Sequence, residues 1–189
     1  MISVGIDPKQ IEQIKGALGD LERRAPREIA TALNATSKKV RIVSARALKK
    51  ELNCPVKVLK KAIRQKGKAN HENLTAVVGL FRGYPIPLKY FKPTQLKRGV
   101  TYKTRTGAKG KSVLRDAFIA PQYGGRVYRR KGKARGPLQQ VYGPSPGDAF
   151  EKSGIEQLAT KTAQEELPKE MDRRIRFLLL KASGTIKGK

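Results

Sequence analysis

The chain has 189 residues, enough for one domain with its own core plus short extensions. Lys and Arg number 42 against 15 Asp and Glu, a formal charge of +27 that exceeds what solubility requires and implies a polyanionic partner, acidic protein neighbours, or both. No apolar run is long enough for a bilayer, Met1-Ile2-Ser3-Val4 lacks the regions of a signal peptide, and the single Cys54 excludes an internal disulfide framework, which fits a reducing compartment.

Met1 to Ile6 reads as a short strand or an arm. Asp7-Pro8-Lys9-Gln10 is a helix start, with Asp7 as N-cap, Pro8 in the first turn and Gln10 placed for a capping box. Ile11, Ile14, Leu18 and Leu21 mark its apolar face, and Gly16 and Gly19 weaken it. The stretch from Pro26 to Leu52 organises the rest. Ile29, Leu33, Thr36, Val40, Val43 and Ala47 recur at alternating steps of four and three, one face of a long amphipathic helix. Arg27, Lys38, Lys39, Arg41, Arg46, Lys49 and Lys50 occupy the other face. Such a helix cannot bury its stripe alone, so an antiparallel sheet is expected against it. A third helix is expected from Pro55 to Gln65, carrying Val56, Leu59 and Ile63, with Gly67 as its stop.

The pattern changes after Asn70. Leu74, Ala76, Val78 and Leu80 alternate as a strand does. Tyr84-Pro85-Ile86-Pro87-Leu88 is extended. A basic stretch from Lys97 to Lys111 carries a strand at Thr101-Tyr102 that turns near Thr106-Gly107. Val113 to Ala120, Arg126 to Arg130 and Leu138 to Tyr142 read as further strands. Gly143-Pro144-Ser145-Pro146-Gly147 breaks the pattern, and a helical period returns from Asp148 to about Lys181. Phe150, Ile155, Leu158, Ala159, Thr162, Leu167, Met171, Ile175 and Leu178 form its apolar face; Pro168 is expected to kink or split it. The fold class is α+β, in one domain: a helical part over 1–66, a β part over 72–143, a C-terminal helix over 148–182 packed beside the sheet, and a basic tail over 183–189.

Convergent acids, bases or metal ligands are what an enzyme needs, and the sequence offers few. His71 stands alone in a polar segment, and Cys54 sits in a helix-to-helix turn with no histidine near in sequence. Glu165, Glu166, Glu170 and Asp172 lie beside Lys169, Arg173 and Arg174 at spacings of ordinary surface ion pairs, not of a two-metal cluster. Gly107, Gly110, Gly124 and Gly125 fit no Walker or dinucleotide pattern. The expectation is a protein that is not an enzyme, with no cofactor and no metal.

Two basic runs carry the functional signal. Arg126, Arg129, Arg130, Lys131, Lys133 and Arg135, with Tyr123 and Tyr128 nearby, are the first-choice DNA contacts. Lys97, Arg98, Lys103, Arg105, Lys109 and Lys111 are the secondary set. Loops between strands can project such residues without disturbing a core. Phosphate contacts carry no base information, so binding is expected to ignore sequence. A helix-turn-helix around Asn53-Cys54-Pro55 is the rival reading; the helix before it is too long, and Lys57 is the only candidate for base contact.

The order of features resembles the minor tail protein Z family of lambda-like phages and prophages, a group of tail-completion or neck proteins. The resemblance rests on Ala32-Leu33-Asn34 leading into Ser44-Ala45-Arg46-Ala47, then Val56-Lys57-Val58-Leu59-Lys60, Tyr84-Pro85-Ile86-Pro87-Leu88, Ala117-Phe118-Ile119-Ala120, Val141-Tyr142-Gly143-Pro144-Ser145 and Leu167-Pro168-Lys169-Glu170. It implies a structural protein of the virion, without catalytic residues, in a ring where tail meets head and through which genomic double-stranded DNA passes. The implied partners are further copies of the chain, the tail terminator, head-completion or other neck proteins, and DNA, with no membrane; the host cytoplasm is the place of assembly. A body about 40 Å across suits a hexamer first and a dodecamer second. Six copies carry roughly +160 around about 24 phosphates of duplex, so only part of the charge can face DNA. The alternative is a sequence-nonspecific nucleic-acid-binding protein of ribosomal or nucleoid type.

Overall fold

The structure, a computed structural model, describes residues 2–5, 24–81, 83, 85–132 and 134–182. The helix expected from Asp7, Tyr84, Lys133 and the basic tail lie outside the described residues. In order come β1 (Ile2–Gly5), α1 (Ala25–Glu51), α2 (Val56–Ala62), β2 (Ile63–Gly67), β3 (Thr75–Leu80), a 3-10 turn (Leu88–Phe91), β4 (Thr94–Leu96), β5 (Gly99–Tyr102), β6 (Ser112–Arg115), β7 (Ala117–Ala120), a second 3-10 turn (Pro121–Tyr123), β8 (Arg126–Arg130), β9 (Leu138–Gln140), α3 (Pro146–Lys152) and α4 (Ile155–Ala182). The class is α+β. The strands form three separate three-stranded sheets, β1-β3-β2, β4-β5-β6 and β7-β8-β9, rather than one central sheet.

The chain divides into two compact units. The first holds residues 1–44, 63–79 and 156–189; the second holds 45–62 and 80–155. In the first, the α1 stripe is buried as its spacing requires: Ile29, Ala30, Leu33 and Val40 pack with Ala69, Ala76 of β3, and Ala159 and Ala163 of α4. Alanines at the facing positions let backbones approach closely. The expected helix over 55–65 ends early, and Ile63–Gly67 is the edge strand β2 instead. Side chains of α1 supply the reason. Arg41 Nε donates to the Ile63 carbonyl (2.6 Å), and Gln65 Nε2 donates to Asn34 Oδ1 (2.9 Å) and Ser37 Oγ (2.8 Å). These bonds fix an extended edge that local propensity alone would leave helical.

α4 also departs from expectation. Phe150 belongs to α3, whose Ser145 N-cap accepts from the Gly147 N–H (3.2 Å). The break comes at Gly154, at φ 62°, and α4 then runs unbroken through Pro168. Pro168 is exposed, where water can satisfy the carbonyl that loses its partner. The buried stripe is Ile155, Ala159, Ala163, Glu170 and Leu178; Leu158 is exposed. Glu166 and Glu170 are not ordinary surface charges, because both grip Lys39 of α1.

In the second unit the expected strand over 113–120 is two strands. Asp116 sits between them at φ 59°, a left-handed conformation that Asp tolerates better than most residues, and it carries the chain from one sheet to the next. The two sheets meet through Gln95: its Oε1 accepts from Ile119 N (2.8 Å) while its Nε2 donates to the carbonyls of Leu96 and Gly99.

Candidate nucleic-acid interface

The β4–β5 turn carries Lys97 and Arg98 at its tip. It closes because Gly99 adopts φ 139° and lies flat against Leu114 and Arg115 of β6, a conformation no side chain suits. Gly99 pairs with Arg115, so the last residue of β6 is brought beside the turn. In the neighbouring sheet Ala117 pairs with Arg129 and Phe118 with Tyr128. The Gln95 link holds the two sheets together, and a groove of about 820 Å³ opens along their junction. Lys97, Arg98, Arg115, Arg129, Arg130 and Lys131 line it, and Asp116 is the one acid among the described residues that do. The guanidinium of Arg130 lies 5.8 Å from the ring centre of Phe118, a cation–π contact at the groove wall.

Two basic runs about thirty residues apart in sequence thus meet in one groove. Of the first-choice set, Arg129, Arg130 and Lys131 line it. Arg126 stands outside it on β8 and donates to Gln140 (3.5 Å), Arg135 is exposed in the β8–β9 loop, and Lys133 lies outside the described residues. Of the secondary set, Lys97 and Arg98 line the groove. Lys103, Arg105, Lys109 and Lys111 do not: the backbone of Arg105 bridges Leu52, and Lys103 N donates to Phe91 O (3.2 Å). Arg115 and Gln95 also line the groove, outside both basic runs. An isolated arginine at a strand end gives no charge run to notice, and only the β5–β6 register reveals its place.

The rival sites fare differently. Cys54 is buried, its thiol is pushed up to about 12 by that burial, and Sγ donates to the Pro55 carbonyl at 3.9 Å. The exposed His71 imidazole lies 3.6 Å from its neighbour Glu72. Among the described residues, no three His, Cys, Asp or Glu side chains come together in a way that could hold a metal ion, and no helix is long and apolar enough to cross a membrane. The helix-turn-helix reading fails on geometry. α2 has only seven residues and runs directly into β2, while Asn53 is committed to the backbone of Lys103 and Thr104.

The described residues form a mixed α+β fold with a strongly cationic groove. The family model for prophage minor tail protein Z (GPZ) matches residues 9–182, and the chain belongs to that family. It is therefore a structural component of a phage tail and of the virion, which sets the ribosomal or nucleoid alternative aside. No curated protein and no solved structure matches it.

Proposed function

We propose that this tail protein is a ring component at the neck, where tail meets head, and that genomic DNA passes through a lumen lined by the groove between the β4-β5-β6 and β7-β8-β9 sheets. The observation that carries the proposal is the convergence of Lys97 and Arg98 with Arg115, Arg129, Arg130 and Lys131. Six cations against one carboxylate form a site for phosphates, and such contacts are indifferent to base sequence. The ring is a hexamer in the first instance and a dodecamer in the second, with head-to-tail contacts between copies. Lys103, Lys109 and Lys111, away from the groove, are left to acidic neighbours such as the tail terminator or a head-completion protein. Catalysis has no part in this role, and assembly takes place in the host cytoplasm.

The test is a triple substitution, Arg98→Ser, Arg129→Ser and Lys131→Ser, with duplex binding measured over a range of salt. The expected result is weaker binding for every duplex sequence and a log–log salt slope flatter by about 2–3, at about 0.9 per lost phosphate contact. Ring mass is expected to be unchanged. Unchanged DNA binding together with failure of the adjacent tail or head protein to attach would make the groove a protein-docking surface.

A further inference from the structure

The outer face of the β7-β8-β9 sheet carries more than charge. Side chains along β8 alternate, so Arg126, Tyr128 and Arg130 share one face while Val127 turns inward and is buried. Phe118 pairs opposite Tyr128, with ring centres 6.5 Å apart, and Tyr123 packs edge-on against Tyr128 at 5.6 Å. Tyr123 is 52% exposed, and Phe118 and Tyr128 are only half-buried. The three rings therefore form a continuous row that starts in the groove, at Phe118, and leads out of it. Arg126 and Arg130 flank the row on the same face.

Phosphate binding explains the cations; the rings pack on one another and, at Phe118, against Arg130, yet Tyr123 at the end of the row stays 52% exposed. In duplex DNA the flat faces of the bases are covered by their neighbours, so a row of aromatic rings has nothing to stack on. An unpaired strand offers those faces, and aromatic rings beside a cationic groove are how proteins hold it without regard to sequence. We propose that this face binds single-stranded nucleic acid, with bases on Tyr123, Tyr128 and Phe118 and phosphates on Arg126, Arg130 and the groove. The proposal rests on the phosphate-binding role of the groove and adds a preference for unpaired over paired strands.

The experiment uses the full chain with labelled dT12 and U12, which present the same chemistry as DNA and as RNA, and a 12-base-pair duplex at one salt concentration. The chain has six tyrosines and no tryptophan, so stacking is read directly as quenching of tyrosine emission. Tighter binding of either single strand than of the duplex, with quenching, is expected. Tyr123→Ala, at an exposed turn position, is expected to weaken single-strand binding about fivefold or more and to leave duplex binding unchanged. Equal binding of single strand and duplex, no quenching and no effect of Tyr123→Ala would overturn the stacking proposal while leaving the groove's phosphate role intact. Failure to bind any of these nucleic acids, with capture of poly-glutamate instead, would overturn both.

Discussion

The ammonium of Lys39 on α1 lies 2.9 Å from the carboxylate of Glu170 on α4, and that carboxylate is buried. Glu166, one helical turn earlier, reaches the same nitrogen at 2.6 Å, and Arg173 approaches Glu170 at 3.0 Å. A buried carboxylate is tolerable only with such partners, so the cluster fixes the pairing of the two helices within their unit.

Lys39→Met removes the shared cation and leaves Glu170 with Arg173. The melting temperature at pH 7 is expected to fall by about 2–4 °C, because solvent screens part of the interaction at a lysine side chain that is 43% exposed. The sign with pH follows from the shifts. The hydrogen bond from Lys39 holds the Glu166 carboxyl below its ordinary value of 4.5, so its contribution is present above that pH and is lost as pH falls through the folded value. Hydrogen bonds to Glu166 and Glu170 raise Lys39 above 10.5, so its contribution is present below that pH and is lost as pH rises through the folded value. The gap between wild type and variant should be widest between these two values and should shrink in acid. Melting curves at pH 3, 7 and 9 check this; a gap as wide at pH 3 as at pH 7 would show that the ion cluster is not its source.

Val40 has no exposed surface and lies in the apolar cluster with Ala76 and Ala159. Val40→Asp places a charge there without a partner, at a cost of about 4 kcal/mol. Urea denaturation followed by circular dichroism measures it, and an unchanged midpoint would remove α1 from the core.

Gly99→Ala puts a methyl group into the Leu114 carbonyl at a φ of 139°. A loss of about 2 kcal/mol or more is expected, together with weaker DNA binding, because the turn that carries Lys97 and Arg98 must shift. Gly110→Ala, where a methyl group meets open space, is the control and should stay within about 0.5 kcal/mol. Equal effects of the two substitutions would refute the role assigned to the turn.

Burial pushes the Cys54 thiol up to about 12, so little thiolate is expected at pH 8. Iodoacetamide should modify it far more slowly in the native protein than in guanidinium. Rapid labelling of the native protein, followed by mass spectrometry, would mean that the thiol is open to solvent.

The sequence by itself determined what is periodic or dense. The four-and-three spacing of Ile29, Leu33, Thr36 and Val40 determined α1, and the run from Arg126 to Arg130 determined β8, because those patterns are carried by neighbouring residues. The excess of Lys and Arg, a formal charge of +27, is likewise legible from composition alone. Tertiary structure decided what depends on distant partners. Ile63–Gly67 is a strand because Arg41, Asn34 and Ser37 occupy its polar groups. The break after α3 falls at Gly154 rather than Pro168, and Asp116 divides what local pattern reads as one strand. The groove belongs to this second kind. Its cations come from the tip of one hairpin, the end of β6 and the end of β8, and no spacing within one segment encodes their meeting. Sheet register and the Gln95 link bring them together, and those are properties of packing between segments.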